Sequence, residues 1–181
     1  MTYDLMNRRM NRTRHHTSIV GSATAIDTYM ERGMDASKVA LGFAFYAKWF
    51  TTAVGTECDG PIGCPTALLE GEDGHSTGRS GAVTFESTSY SGSGPDVPPS
   101  FLTAMGNGTA DGEAGGEWYW DAGSRLFWTW DTPDLIQRKF DEIVSAKGLG
   151  GAFALSLAQD SHDWSHLKAM QKGMQGLRIR D

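Results

Sequence analysis

The chain has 181 residues, enough for one domain with a real core but short of the about 250 that a complete (β/α)8 barrel takes. Its 39% hydrophobic and 21% charged residues are globular values, and a net charge of −6 argues against nucleic-acid binding, which needs a basic face. No run of about 18 apolar residues occurs, so no membrane-spanning helix is expected.

Residues 1–5 are expected to form a short strand. Arg8, Arg9, Arg12 and Arg14 form the one basic cluster, read as a solvated loop rather than a phosphate site. Residues 17–32 read as a helix, with Thr17 or Ser18 as N-cap and Ile19, Ala23, Ile26 and Met30 on one face. Gly33 supplies the left-handed stop. Val39–Tyr46 is a nearly continuous apolar run of strand length, the mark of a parallel strand covered on both faces.

Residues 50–116 change character. They are rich in Gly, Ser, Thr and Asp, with short β-prone pieces such as Ala82–Phe85, and read as a small β-rich insertion. A dense aromatic block follows, Trp118-Tyr-Trp120 and Phe127-Trp-Thr-Trp130, expected mainly to seat the insertion and in part to offer a sugar platform. The next helix opens on Thr132 as N-cap, Pro133 at its first position and Asp134 in its first turn. Leu135, Ile136, Phe140, Ile143 and Val144 give its apolar face, and Gly148 ends it. Gly150–Leu157 reads as a second buried strand. Residues 163–175 read as a last helix, with Trp164, Leu167 and Met170 on one face and a frayed tail from Gly176. The strand–helix alternation implies a parallel sheet or a segment of a barrel.

Several motifs resemble those of the glycoside hydrolase family 18 chitinases. Met1-Thr-Tyr-Asp4 resembles the end of that family's sixth strand, and Leu41-Gly-Phe-Ala-Phe-Tyr46 its seventh. Trp130-Asp-Thr-Pro-Asp134 resembles the opening of the seventh helix, and Gly150-Gly-Ala-Phe-Ala the eighth strand. Cys58-Asp-Gly-Pro-Ile-Gly-Cys-Pro-Thr66 and Lys48-Trp-Phe50 look most like the fungal class V members. The resemblance covers about residues 1–170 and implies an α/β fold: a partial (β/α)8 TIM barrel, its last three strand–helix units, with a small α+β chitinase insertion domain. The implied division is a barrel segment over 1–49, the insertion domain over 50–116 and a barrel segment over 117–181.

That family uses one protein acid and the substrate's own acetamido group as nucleophile. Its acid lies in an Asp-x-x-Asp-x-Asp-x-Glu run, and no such run occurs in these residues. The chain is therefore expected to carry no catalytic residue, and Glu31, Glu70, Glu72, Glu86, Glu113, Glu117 and Glu142 are not expected at a strand's C-terminal end. What the resemblance does imply is sugar binding. Tyr3 resembles the tyrosine that bonds the acetamido group, Asp4 the carboxylate that holds a sugar hydroxyl across the cleavage point, and Met1 the floor beside them, with Tyr46 lining the same pocket. Leu155 stands where active members present a stacking Trp, which implies a weakened subsite. Lys48 stands where many members carry Arg, and Met10 where the fungal sequences carry Asp. The implied ligands are chitin or N-acetylglucosamine oligomers, with no cofactor and no metal.

Three further features bear on setting and partners. Cys58 and Cys64 close a small loop and are a disulfide candidate, the alternative being two free thiols in a cytosolic protein. Two acceptor sequons occur, Asn11-Arg12-Thr13 and Asn107-Gly108-Thr109. No apolar leader precedes the first residues, so the expectation is the tail of a longer, extracellular protein. His15-His16 lacks neighbouring ligands for a metal, and His162, Asp163 and His166 lack the Glu of a zinc-binding helix and read as solvated helix surface. Three functional readings stand: part of a chitinase, a catalytically dead chitin binder, or an interaction module whose open barrel edge along residues 1–5 recruits a second copy or a protein partner.

Overall fold

The computed structural model describes residues 1–55, 60–85 and 98–178. In chain order its main elements are α1 (Ile19–Glu31), β1 (Ala40–Ala44), β2 (Tyr46–Thr51), β3 (Ser80–Thr84), α2 (Pro99–Gly106), β4 (Thr109–Asp111), β5 (Gly116–Asp121), β6 (Leu126–Trp130), α3 (Pro133–Lys139), β7 (Gly151–Leu155) and α4 (Ser165–Arg178). The strands form two sheets. β1 and β7 pair in parallel, Ala40 opposite Gly151 through Ala44 opposite Leu155. The other five form an antiparallel sheet in the order β3-β2-β6-β5-β4. Among the described residues there is no closed barrel.

The parallel pair is covered by helices because its own residues have nothing polar to show. Leu41 and Phe43 are fully buried, and Phe43 stacks on Phe140 at 5.1 Å between ring centroids. α1 contributes Ile19 and Ile26, and α3 contributes Leu135 and Ile136. Beyond Lys139, α3 loosens into a π-helical stretch, Phe140–Ser145, that keeps Phe140, Ile143 and Val144 buried. The caps follow local chemistry. Ser18 Oγ accepts from Gly21 N–H at 3.0 Å and Thr132 Oγ1 from Leu135 N–H at 3.2 Å, each satisfying an amide that the first helical turn leaves unpaired. Gly33 and Gly148 take φ of +90° and +63° where the chain leaves α1 and the π-helical stretch.

The antiparallel sheet separates two clusters by strand alternation. Phe50 and Phe127 face Met6 and Leu69, whereas Ala47, Trp128 and Trp130 face Phe101 and Ala104 of α2. The aromatic block is the β5–β6 hairpin, with Tyr119 opposite Trp128 and Trp120 opposite Phe127.

Several expectations are corrected. Residues 1–5 form no strand; Thr2 instead donates its hydroxyl to Gly42 O at 2.7 Å, a side-chain substitute for a ladder bond. The run Val39–Tyr46 is two strands in two sheets, because Phe45 N–H bonds Leu155 O at 2.9 Å and the next residue begins β2. The strand expected to be buried over Gly150–Leu157 runs only from Gly151 to Leu155, has no fully buried residue and exposes Phe153 and Leu155, and Leu157 opens a 3-10 turn. The last helix starts at Ser165 and continues past Gly176 to Arg178. Trp164 lies just before that helix at φ +58°, 42% exposed, so it does not share the apolar face of Leu167 and Met170.

Candidate functional site

Asp4 sits in the left-handed region at φ +58°, which turns its side chain away from the preceding residues and leaves it half exposed. Two donors on β2 converge on one of its oxygens. Tyr46 donates its phenolic O–H to Oδ1 at 2.8 Å, and Lys48 donates from Nζ to the same atom at 2.9 Å. Tyr46 and Lys48 are two apart on one strand, so the pleat aims both at the same face. Burial, then the bond to the Asp4 carboxylate, pushes the Tyr46 phenol well above its ordinary range. Burial and the Asp4 charge also raise the Tyr3 phenol. Both rings therefore stay protonated donors across the physiological range.

Tyr3 is buried at the cluster's inner wall. Its ring meets Tyr46 edge-on at 6.0 Å and Phe153 edge-on at 6.5 Å. Gly42 makes this packing possible: a Cβ there would lie 2.7 Å from Phe153 Cζ and 3.0 Å from Tyr3 Cε1. Tyr3, Asp4, Tyr46 and Lys48 are thus brought together. Met1 is 82% exposed. Leu155 is 42% exposed at the end of β7, opposite Ala44 in register. Cys58 lies outside the described residues; Cys64 is buried and disulfide-bonded.

Behind Tyr46 lies a buried polar layer that sequence reasoning missed. The His16 ring stacks at a tilt on Tyr46 at 5.3 Å, is fully buried, and leaves both nitrogens without a hydrogen-bond partner. Burial first, then the positive charges of Lys48 and Lys139, push its pKa well below the ordinary value, so it is a neutral ring. Deeper still, Lys139 Nζ bonds Asp131 at 2.8 and 2.6 Å and Thr17 Oγ1 at 2.6 Å. Thr17 also bonds Asp131 and the carbonyl of Thr2, so the buried ion pair anchors the segment that presents Tyr3 and Asp4. One signal was available: Lys139 follows Leu135 and Ile136 at helical spacing, on the apolar face. His15 spans Thr129 Oγ1 at 3.3 Å and Asp111 at 3.0 Å, tying this segment to the antiparallel sheet.

His166 corrects the reading of solvated helix surface. It is buried, with Nδ1 bonded to Asp160 at 2.7 Å and Nε2 to the Asp131 carbonyl at 3.1 Å, while His162 stays exposed. Both His166 nitrogens are thus occupied by protein. Among the described residues no group of three or more His, Cys, Asp or Glu converges as a metal site. Glu117 lies on β5, its carboxyl raised by burial, and Glu86 lies outside the described residues. Among the described residues no helix is long and apolar enough to cross a membrane.

Comparison with known proteins gives this arrangement a family. No curated protein matches the sequence. The fold is similar to that of a chitinase from Rhizomucor miehei, with a TM-score of 0.70 at 16% identity, covering 96% of this chain and 52% of that one. It is similar to a mutant family 18 chitinase from Cycas revoluta in complex with (GlcNAc)4, with a TM-score of 0.67 at 19% identity over 96% of this chain and 46% of that one. A class V chitinase from Nicotiana tobaccum gives 0.66 at 16% identity over 96% and 47%. The chain therefore spans about half the length of these structures, consistent with a partial barrel. The sequence profile of glycosyl hydrolases family 18 matches residues 1–160. With that match over most of its length, the chain belongs to glycosyl hydrolases family 18.

Proposed function

We propose that the chain is the C-terminal portion of an extracellular chitinase, supplying groups that hold the sugar at the cleavage point rather than the acid that breaks the bond. The observation that carries this reading is the Asp4 carboxylate, half exposed, with Tyr46 and Lys48 both spent on Oδ1. Its Oδ2 is left to accept from a sugar hydroxyl. In the full-length enzyme a glutamate outside these residues would protonate the glycosidic oxygen. The substrate's acetamido group would then attack, with retention of configuration. Tyr3 would position that acetamido group, Met1 would close the floor and Tyr46 would line the wall. Leu155 offers no aromatic face, so affinity at its position would be low.

Residues 1–49 and 117–181 are proposed as barrel segments and 50–116 as the insertion domain, with β2 and β5 crossing the two boundaries in one antiparallel sheet. Calorimetric titration with chitotetraose tests the function. Binding is expected in the millimolar to high micromolar range, about −4 to −6 kcal/mol, with no shorter oligomer released on incubation. Release above the rate of an Asp4→Asn variant would overturn the non-hydrolytic reading. Equal heats for the native chain and Tyr3→Ala would overturn the site.

A second reading is a catalytically dead chitinase-like protein that meets another chain. It is favoured by the exposed apolar residues Phe153, Leu155 and Leu157 along and after β7, 39%, 42% and 53% accessible.

A further inference from the structure

The Asn107-Gly108-Thr109 sequon lies where α2 gives way to β4. All three residues are exposed. Asn107 is the C-cap of α2, and its Nδ2 donates to Thr103 O at 2.9 Å. An amide carries two N–H groups, so one can be replaced while the other keeps that bond. The second sequon differs. Asn11 is exposed, but Thr13 is buried, with its hydroxyl bonded to Pro61 O and its N–H to Cys64 O at 2.8 Å. Once the chain has folded, only the Asn107 sequon presents both its amide and its hydroxyl residue to an enzyme.

Position makes the first sequon useful as well as accessible. α2 packs on the sheet face that carries Ala47, Trp128 and Trp130. Tyr46 and Lys48 alternate with Ala47 on β2, so they point to the opposite face. A large hydrophilic group on Asn107 therefore stands clear of Asp4. Leu102 and Met105 of the same helix are 49% and 37% exposed, an apolar surface near the helix end that a hydrophilic group would help keep in solution.

We propose that Asn107 carries an N-linked glycan. In the transfer, Asn107 Nδ2 loses a proton and bonds to the anomeric carbon of an N-acetylglucosamine. The bond from that carbon to a lipid pyrophosphate donor breaks, and the pyrophosphate leaves with the bonding pair. The disulfide at Cys64 independently points to an oxidising compartment, where such transfer takes place. The proposal rests on the extracellular reading.

The test is translation of the full chain behind a cleavable leader into microsomes that hold the lipid-linked donor. Glycans are counted by band shift before and after peptide-N-glycosidase. One glycan is expected to disappear in Asn107→Gln and in Thr109→Ala, and to persist in Thr109→Ser and in Asn11→Gln. A glycan count unchanged by Asn107→Gln would overturn the proposal, and so would an unmodified native chain. The leader makes this outcome independent of how the chain reaches the membrane in its own cells. An occupied Asn107 here, with none on protein recovered from its native cells, would show Asn107 to be a competent acceptor and overturn the proposal through the extracellular reading it rests on.

Discussion

Asp4 is the residue on which the sugar-binding reading turns, and its environment sets what a substitution should do. Its pair with Lys48 is exposed enough that it contributes at most about 1 kcal/mol to stability. A charge-assisted hydrogen bond from a ligand is worth more, about 1.5–3 kcal/mol. Asp4→Asn is therefore expected to weaken chitotetraose binding at least about tenfold while moving the melting temperature by only a few degrees, read by calorimetry and thermal unfolding. His16 gives a prediction of a different kind. Its folded pKa lies well below that of the unfolded side chain, about 6.5. Below that pH the unfolded chain takes up a proton that the folded chain refuses. Stability should fall as pH drops, by about 1.4 kcal/mol per unit, until the folded pKa is reached. Chemical denaturation between pH 7 and 5 checks this, and His16→Phe should flatten the slope. Asp160 acts in a lower window: burial raises its carboxyl, but the His166 bond and the Leu167 amide outweigh that and hold it below the usual range. Tyr3, Asp4 and Tyr46 were legible because their motifs name them. His16 was not, because a His pair in a polar segment carries no sign of burial.

At the scale of elements, caps and periodicity spoke plainly. Ser18, Thr132, Gly33 and Gly148 bound their helices as their chemistry dictates, and five predicted apolar positions of α3 and its π-helical extension are all buried. The strand run Val39–Tyr46 misled, since an apolar run cannot reveal that its two ends pair with different partners. Residues 1–5 misled for the opposite reason: Tyr3 is held by ring packing and Asp4 by side-chain donors, not by a ladder. The buried pair of Lys139 and Asp131 joins α3 to the segment before α1. Removing one member strands the other charge, a loss of about 3–5 kcal/mol. Lys139→Met is therefore expected to lower the urea midpoint sharply, and adding Asp131→Asn should recover part of the loss. Equal midpoints for native and Lys139→Met chains would refute the anchoring role.

At the scale of the whole molecule, β1 and β7 make a sheet of two, with β1 buried under the helices and Phe153 and Leu155 of β7 exposed. Among the described residues no further strand pairs with β7, which is therefore an edge strand. Phe153 and Leu155 point from the same face of that strand. Concentration-dependent self-association is expected, measured by sedimentation, and Leu155→Lys should shift the population toward monomer. A native chain that sediments as a clean monomer at high concentration would remove the interaction reading. The family's architecture was legible because motifs fell in order along the chain, whereas how the two sheets meet was hidden in the single residue Phe45. That junction has a mechanical consequence. Asp4 hangs from the segment leading into α1, while the two groups that grip its carboxylate ride on the first strand of the other sheet. A shift of the Asp4 segment against β2 would change the length of two bonds to one oxygen. The carboxylate is in effect a strain gauge, and a vibrational probe on Tyr46 would read that displacement directly.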